Sequence, residues 1–120
     1  MKRLTAPLLT GFAAVMMLAA QDGVFTDARQ LVQRVQDDLH HVRHRTHGDK
    51  QHDRIEAAEK HLSDFDRNLS RNKFAKDRLD ESIDDVKNIV DNNTLQGEDR
   101  DALRTDLEDL RHLREVRGNM

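Results

Sequence analysis

Histidine is the residue type in this 120-residue chain whose number and spacing most invite chemistry, with seven present beside no cysteine, no tryptophan and no tyrosine. His40, His41, His44 and His47 crowd eight residues, and His52 follows a short glycine-containing stretch. On a helix turning about 100° per residue, His40, His44 and His47 fall within an arc of roughly 60°. Leu31, Val35, Leu39 and Val42 centre on nearly the opposite side, so the three histidines share a solvent face. An i, i+4 pair can place two imidazole nitrogens on one ion. His47 or His52 would add a third ligand with His41 in support, a shell that suits zinc, copper or nickel. A plainer reading competes with this one. Basic side chains collect in the last turns of helices because positive charge is stabilised there, and Arg43 and Arg45 sit in the same turns. Interleaved arginine would repel a cation, and the nearest carboxylates to orient the rings are those of Asp37, Asp38, Asp49 and Asp53. A patch that gains charge in mildly acidic surroundings is a third use of the same residues.

Other constellations carry less. The acidic runs around Asp80, Asp84 and Asp106 read as solvated helix faces laced with ion pairs. The segment Asp91-Asn92-Asn93-Thr94-Leu95-Gln96-Gly97 fails as a calcium loop, because Leu95 takes a ligand position and Ala102 stands where the bidentate glutamate belongs. Ser63, Ser70 and Ser82 lack the glycine-flanked turn and the His and Asp companions of a nucleophile. His61 and His112 each stand alone beside an apolar seam and read as partly buried helix residues. No phosphate-cradling loop occurs among the five glycines. The last segment sets seven acids against five arginines with no aromatic platform, which argues against nucleic acid. The expectation is a protein that is not an enzyme.

The elements that position these residues divide sharply at residue 20. Lys2 and Arg3, the apolar run Leu4 to Leu18 and the small pair Ala19-Ala20 form the pattern of a secretory signal, so residues 1–20 are expected to be a cleaved signal peptide. The remaining 100 residues are expected to be a single exported helical domain, periplasmic or extracellular, with no membrane segment after cleavage. Setting aside Lys2 and Arg3 leaves 18 basic and 23 acidic residues there, a formal charge of −5. Apolar residues recur at spacings of three and four almost throughout, and no stretch alternates with period two, which predicts an all-α fold.

Helices are expected over about 24–47, 50–71, 75–92 and 97–117. The first carries Val24, Ala28, Leu31, Val35, Leu39 and Val42, and stops near Gly48. The second has Ile55, Ala58, Leu62, Phe65 and Leu69, a narrow seam like that of a coiled coil, with Asp49 as its N-cap. The third has Leu79, Ile83, Val86, Ile89 and Val90, with Phe74 placed to staple onto Leu79. The fourth has Leu103, Leu107, Leu110, Leu113 and Val116. Short connections between helices of this length predict a four-helix up-down-up-down bundle, or two long helical hairpins that complete a core by dimerising.

The signal pattern, the segment Lys60-His61-Leu62-Ser63-Asp64-Phe65-Asp66-Arg67 and the closing Asp106-Leu107-Glu108-Asp109-Leu110-Arg111 make the chain resemble small exported all-helical bacterial proteins of unassigned function. In size and class it is also similar to periplasmic helical-hairpin chaperones and metal-responsive envelope-stress proteins. Those carry a Leu-Thr-x-x-Gln motif, and Thr94-Leu95-Gln96 does not match it. Leu, Ile, Val and Phe supply 23 of the last 100 residues, little above the roughly 20% at which chains tend toward disorder. The narrow seam and lean core predict binding to a protein partner or a homodimer, with no cofactor; the alternative is divalent-metal binding or sensing through the histidine cluster.

Overall fold

A computed structural model of the protein describes residues 25–92 and 95–117. The expected signal peptide, Val24, Asn93 and Thr94 lie outside the described residues. Four α-helices account for most of the rest: α1 Thr26–Arg45, α2 Asp49–Ser70, α3 Lys76–Asp91 and α4 Gly97–Arg117. No strand occurs among the described residues. Each helix packs on its neighbours in the chain, and α4 returns to α1, so the helices surround one core.

One register runs through all four. Residues 25, 28, 32, 35, 39, 42 and 46 are buried on and beside α1, 51, 55, 58, 62, 65 and 69 on α2, 79, 82, 86 and 89 on α3, and 99, 103, 106, 110 and 113 on α4. Alternating steps of three and four average 3.5 residues, close to the helical repeat, so these positions form one stripe per helix facing the centre. Three expectations change as a result. Val32, rather than the half-buried Leu31, completes the α1 stripe, and Ser82, rather than Ile83, completes that of α3. Val116 falls off the α4 stripe and is 57% exposed.

Local chemistry sets the ends. Gly48 precedes α2 at φ +106, a backbone that side-chain-bearing residues rarely adopt, and its carbonyl accepts from the His52 N–H. Asp49 is therefore the first helical residue rather than the cap. At the far end of α2, Asn72 takes φ +61 and donates to the Leu69 carbonyl, while Lys73 donates to that of Asn68. These two bonds satisfy the last turn in the manner of a Schellman motif, with asparagine in the position glycine usually holds. The turn that follows throws Phe74 back onto the core. Its ring sits 5.6 Å from Phe25 and 5.3 Å from Phe65, and the Arg117 guanidinium lies 5.4 Å from the Phe25 ring centre. All four helices are thereby tied at the end of the bundle remote from the histidine cluster of α1.

Polar pairs across the seams run in opposite chain order. Arg29 meets Asp66, and Arg43 meets Glu56 and Glu59, between α1 and α2. Asp27 meets Arg117, Arg34 meets Asp106 and Asp109, and Arg45 meets Asp99 between α1 and α4. Gln51 donates to the Ile89 carbonyl, and His61 meets Asp85, between α2 and α3.

Candidate functional site

The histidine cluster lies where α1 ends. The helix stops at Arg45, so His40, His41 and His44 project from its last two turns while His47 sits in the three-residue connection to α2. His40 and His44 come together, with their Nε2 atoms 3.3 Å apart and their rings edge to face at 4.7 Å. Both are exposed. His41 turns instead to Arg45, whose Nη1 lies 3.4 Å from its Nε2. His52 points back across the turn, its Nε2 2.6 Å from the carbonyl of the buried Thr46. Among the described residues no three His, Asp or Glu side chains converge as a metal shell. Of the five histidines that the sequence singles out, one pair is assembled.

That pair has the spacing a metal ion needs. A tetrahedral ion with bonds of about 2.0 to 2.1 Å holds its ligand nitrogens about 3.3 to 3.4 Å apart. The same distance also accommodates a hydrogen bond in which one ring donates to the other, so a proton and a cation would compete for the site. The arginines interleaved with the cluster are neutralised by acids of the neighbouring helices. Arg43 donates to Glu56 at 2.7 Å and to Glu59 at 3.0 Å, and Arg45 donates to Gln96 at 2.6 Å with its Nε 3.3 Å from Asp99. The electrostatic objection drawn from the sequence therefore weakens. Among the described residues no carboxylate is hydrogen-bonded to either ring, and Asp37, one turn earlier on the same face, accepts from Gln33 at 3.2 Å.

The chain matches no protein-family model, no curated protein and no solved structure.

A second titratable group lies in the seam between α1 and α4. Asp106 has 1% of its surface exposed and accepts from the Arg34 Nε at 3.1 Å, while its Oδ2 is buried without a hydrogen-bond partner. Burial, and then the neighbouring Asp38 carboxyl, push its pKa up to about 7 against the pull of Arg34. Asp38 on α1 thus neighbours Asp106 across the seam with α4. Asp106 is buried rather than on a solvated face, and its place three residues after Leu103 and four before Leu110 is the signal that puts it on the buried stripe.

His61 is not alone either. Its Nδ1 lies 2.5 Å from Asp85 and its Nε2 3.9 Å from Glu81, so it links α2 to α3. His112, expected beside the core, is exposed and lies 3.9 Å from Glu115. Surface depressions lie elsewhere on the bundle. One, of about 500 Å³, is lined by Lys73, Phe74 and Lys76 at the α2–α3 turn, and another, of about 350 Å³, by Gln36, Ser63 and Asp66. Ser63 there receives a hydrogen bond from Gln36 at 3.2 Å, and Asp66 is held by Arg29.

Proposed function

We propose that the protein is an exported, non-enzymatic helical bundle that acts by binding, and that its site of defined chemistry is the His40–His44 pair, which takes a divalent transition metal such as zinc, copper or nickel. The observation that carries this reading is the 3.3 Å between the two exposed Nε2 atoms. Export is supported by the signal pattern of residues 1–20, and the opposed order of the seam pairs supports an up-down-up-down topology. A second reading, binding of a protein partner, is favoured by the outer surface rather than by a groove. The seam of α2, which as a sequence asks for a partner, is filled within the chain, and Val116 is the one large apolar side chain exposed among the described residues. Such a partner would have to recognise charge.

Thermal unfolding of the untagged protein, followed by circular dichroism with and without each metal, tests the metal reading. A site with Kd near 10 μM in about 100 μM free metal adds roughly 1.4 kcal/mol. For a domain of this size the midpoint should then rise by about 6 to 11 °C. The rise should vanish when His40 and His44 are both replaced by Ala. An unchanged midpoint with all three metals would defeat the metal reading and leave the charged surface.

A further inference from the structure

We infer that the His40–His44 pair is half of a zinc site that a second copy of this chain completes, one ion joining two bundles across the outer face of α1. The inference rests on the reading of the pair as a metal site. Two nitrogens 3.3 Å apart supply one edge of a tetrahedron, and nothing else among the described residues supplies the other. His41 is engaged with Arg45, His52 with the Thr46 carbonyl, and Asp37 with Gln33. A closed zinc shell has four protein ligands, and this chain offers nitrogen ligands with no cysteine. The same two rings, presented again by a copy related by a two-fold axis through the ion, make four.

The surroundings of the pair allow that approach. His40 and His44 stand on the side of α1 opposite Val35, Leu39 and Val42, and Gln33 and Asp37 extend the same face toward the start of the helix. Arg43 and Arg45 are already paired with acids of their own chain, so no unmatched cation faces the axis. In an antiparallel pairing the two-fold axis passes through the midpoint of the pair, level with residue 42 of α1. With no large apolar side chain exposed on this face, the contact without metal would be small and wet, below what holds a stable dimer. Association should therefore depend on the ion.

The test is the mass of the untagged protein by sedimentation velocity at tens of micromolar, in chelator and with half an equivalent of zinc, together with a calorimetric titration. The expected result is a monomer in chelator, a doubling of mass with zinc at one ion per two chains, and return to monomer when chelator is restored. His40→Ala, at an exposed position whose helicity circular dichroism can verify, should abolish the doubling, while His41→Ala should keep it. Zinc bound at one ion per chain with no change in mass would overturn the inference and leave the metal reading standing. No zinc bound would overturn both, and a dimer that persists in chelator or in His40→Ala would show that the ion is not the link.

Discussion

Helix α1 is held along its two edges by different chemistry. Toward α2, each carboxylate that meets an α1 arginine keeps part of its side chain in water: Asp66 32%, Glu59 20% and Glu56 57%. Toward α4, Asp109 keeps 45%, but Asp106 retains 1% and Asp99 5%, and each of these two has a buried Oδ2 that no hydrogen bond satisfies. The first edge is a charged rim over an apolar seam. The second puts charge inside the seam. Exposed pairs are worth about 0 to 1 kcal/mol, because water already solvates both partners well. A buried carboxylate has lost that alternative, so its energy depends on the one cation beside it and on whether a proton can be taken up instead. Two interfaces of one helix should therefore answer very differently to loss of a single arginine.

The largest effect is expected from Arg34→Ala. It removes the one cation paired with Asp106 among the described residues and leaves Asp109 without its partner at 2.5 Å. Breaking a fully buried pair costs about 3 to 5 kcal/mol. Arg34 is 48% exposed and Asp106 can protonate, so about 2 to 3 kcal/mol at pH 8 is the reasonable expectation. At pH 5, where Asp106 already holds its proton, the loss should be clearly smaller. Urea unfolding followed by circular dichroism at both pH values measures it. An equal loss at pH 5 and pH 8 would mean that the aliphatic stem of Arg34, rather than its charge, supports the seam.

The contrast between the edges also marks where the sequence stops being informative. The stripe Ile55, Ala58, Leu62, Phe65, Leu69 is legible because each position is apolar, and the α2 helix it implies is present within a residue at each end. The seam positions that were missed are polar or share an edge with a neighbour. Thr46, Gln51, Ser82, Asp99 and Asp106 all lie on the same three-four register as the apolar residues, yet a search by residue type passes over them. Ser82 is small enough to sit fully inside, and its hydroxyl is satisfied by the Arg78 carbonyl at 2.8 Å. Leu31 and Val32 are adjacent, and only the neighbouring helices decide which one faces in. The candidate site was legible as a cluster but not as a pair. That α1 ends at Arg45, removing His47 from the helical face, depends on the buried Thr46 and the turn at Gly48, and which two rings meet depends on rotamers the pattern does not encode.

Asp106→Asn sharpens the comparison with a change of sign. A carboxyl whose folded pKa is raised to about 7, from an ordinary value near 4, lends stability that is fully present below about pH 4 and is lost as pH rises toward and through 7. Above that range Asp106 is a buried carboxylate that shares Arg34 with Asp109. Asparagine keeps an acceptor for Arg34 and offers N–H donors to Asp38 without a charge. The variant should be more stable than wild type at pH 8, by about 1 kcal/mol, and no more stable at pH 5. Thermal midpoints at the two pH values decide it. A variant that is destabilised at pH 8 would place the ionised Asp106–Arg34 pair among the net stabilising contacts.

The smallest effect belongs to the other edge. Arg43→Ala removes two ion pairs, to Glu56 and Glu59, and by count of bonds it resembles Arg34→Ala. Count is the wrong measure. Glu56 and Glu59 regain water when Arg43 leaves, so no charge is stranded, and the expected loss is about 0.5 kcal/mol. Because screening weakens exposed pairs first, that loss should shrink further in 0.5 M salt, where the Debye length falls to about 4 Å, whereas the cost of Arg34→Ala should persist. The pair of salt titrations, read as unfolding midpoints of the two variants against wild type, separates a rim from a seam by how each responds to ions. If Arg43→Ala costs as much as Arg34→Ala and resists salt equally, the difference in exposure between the two edges of α1 has no energetic meaning.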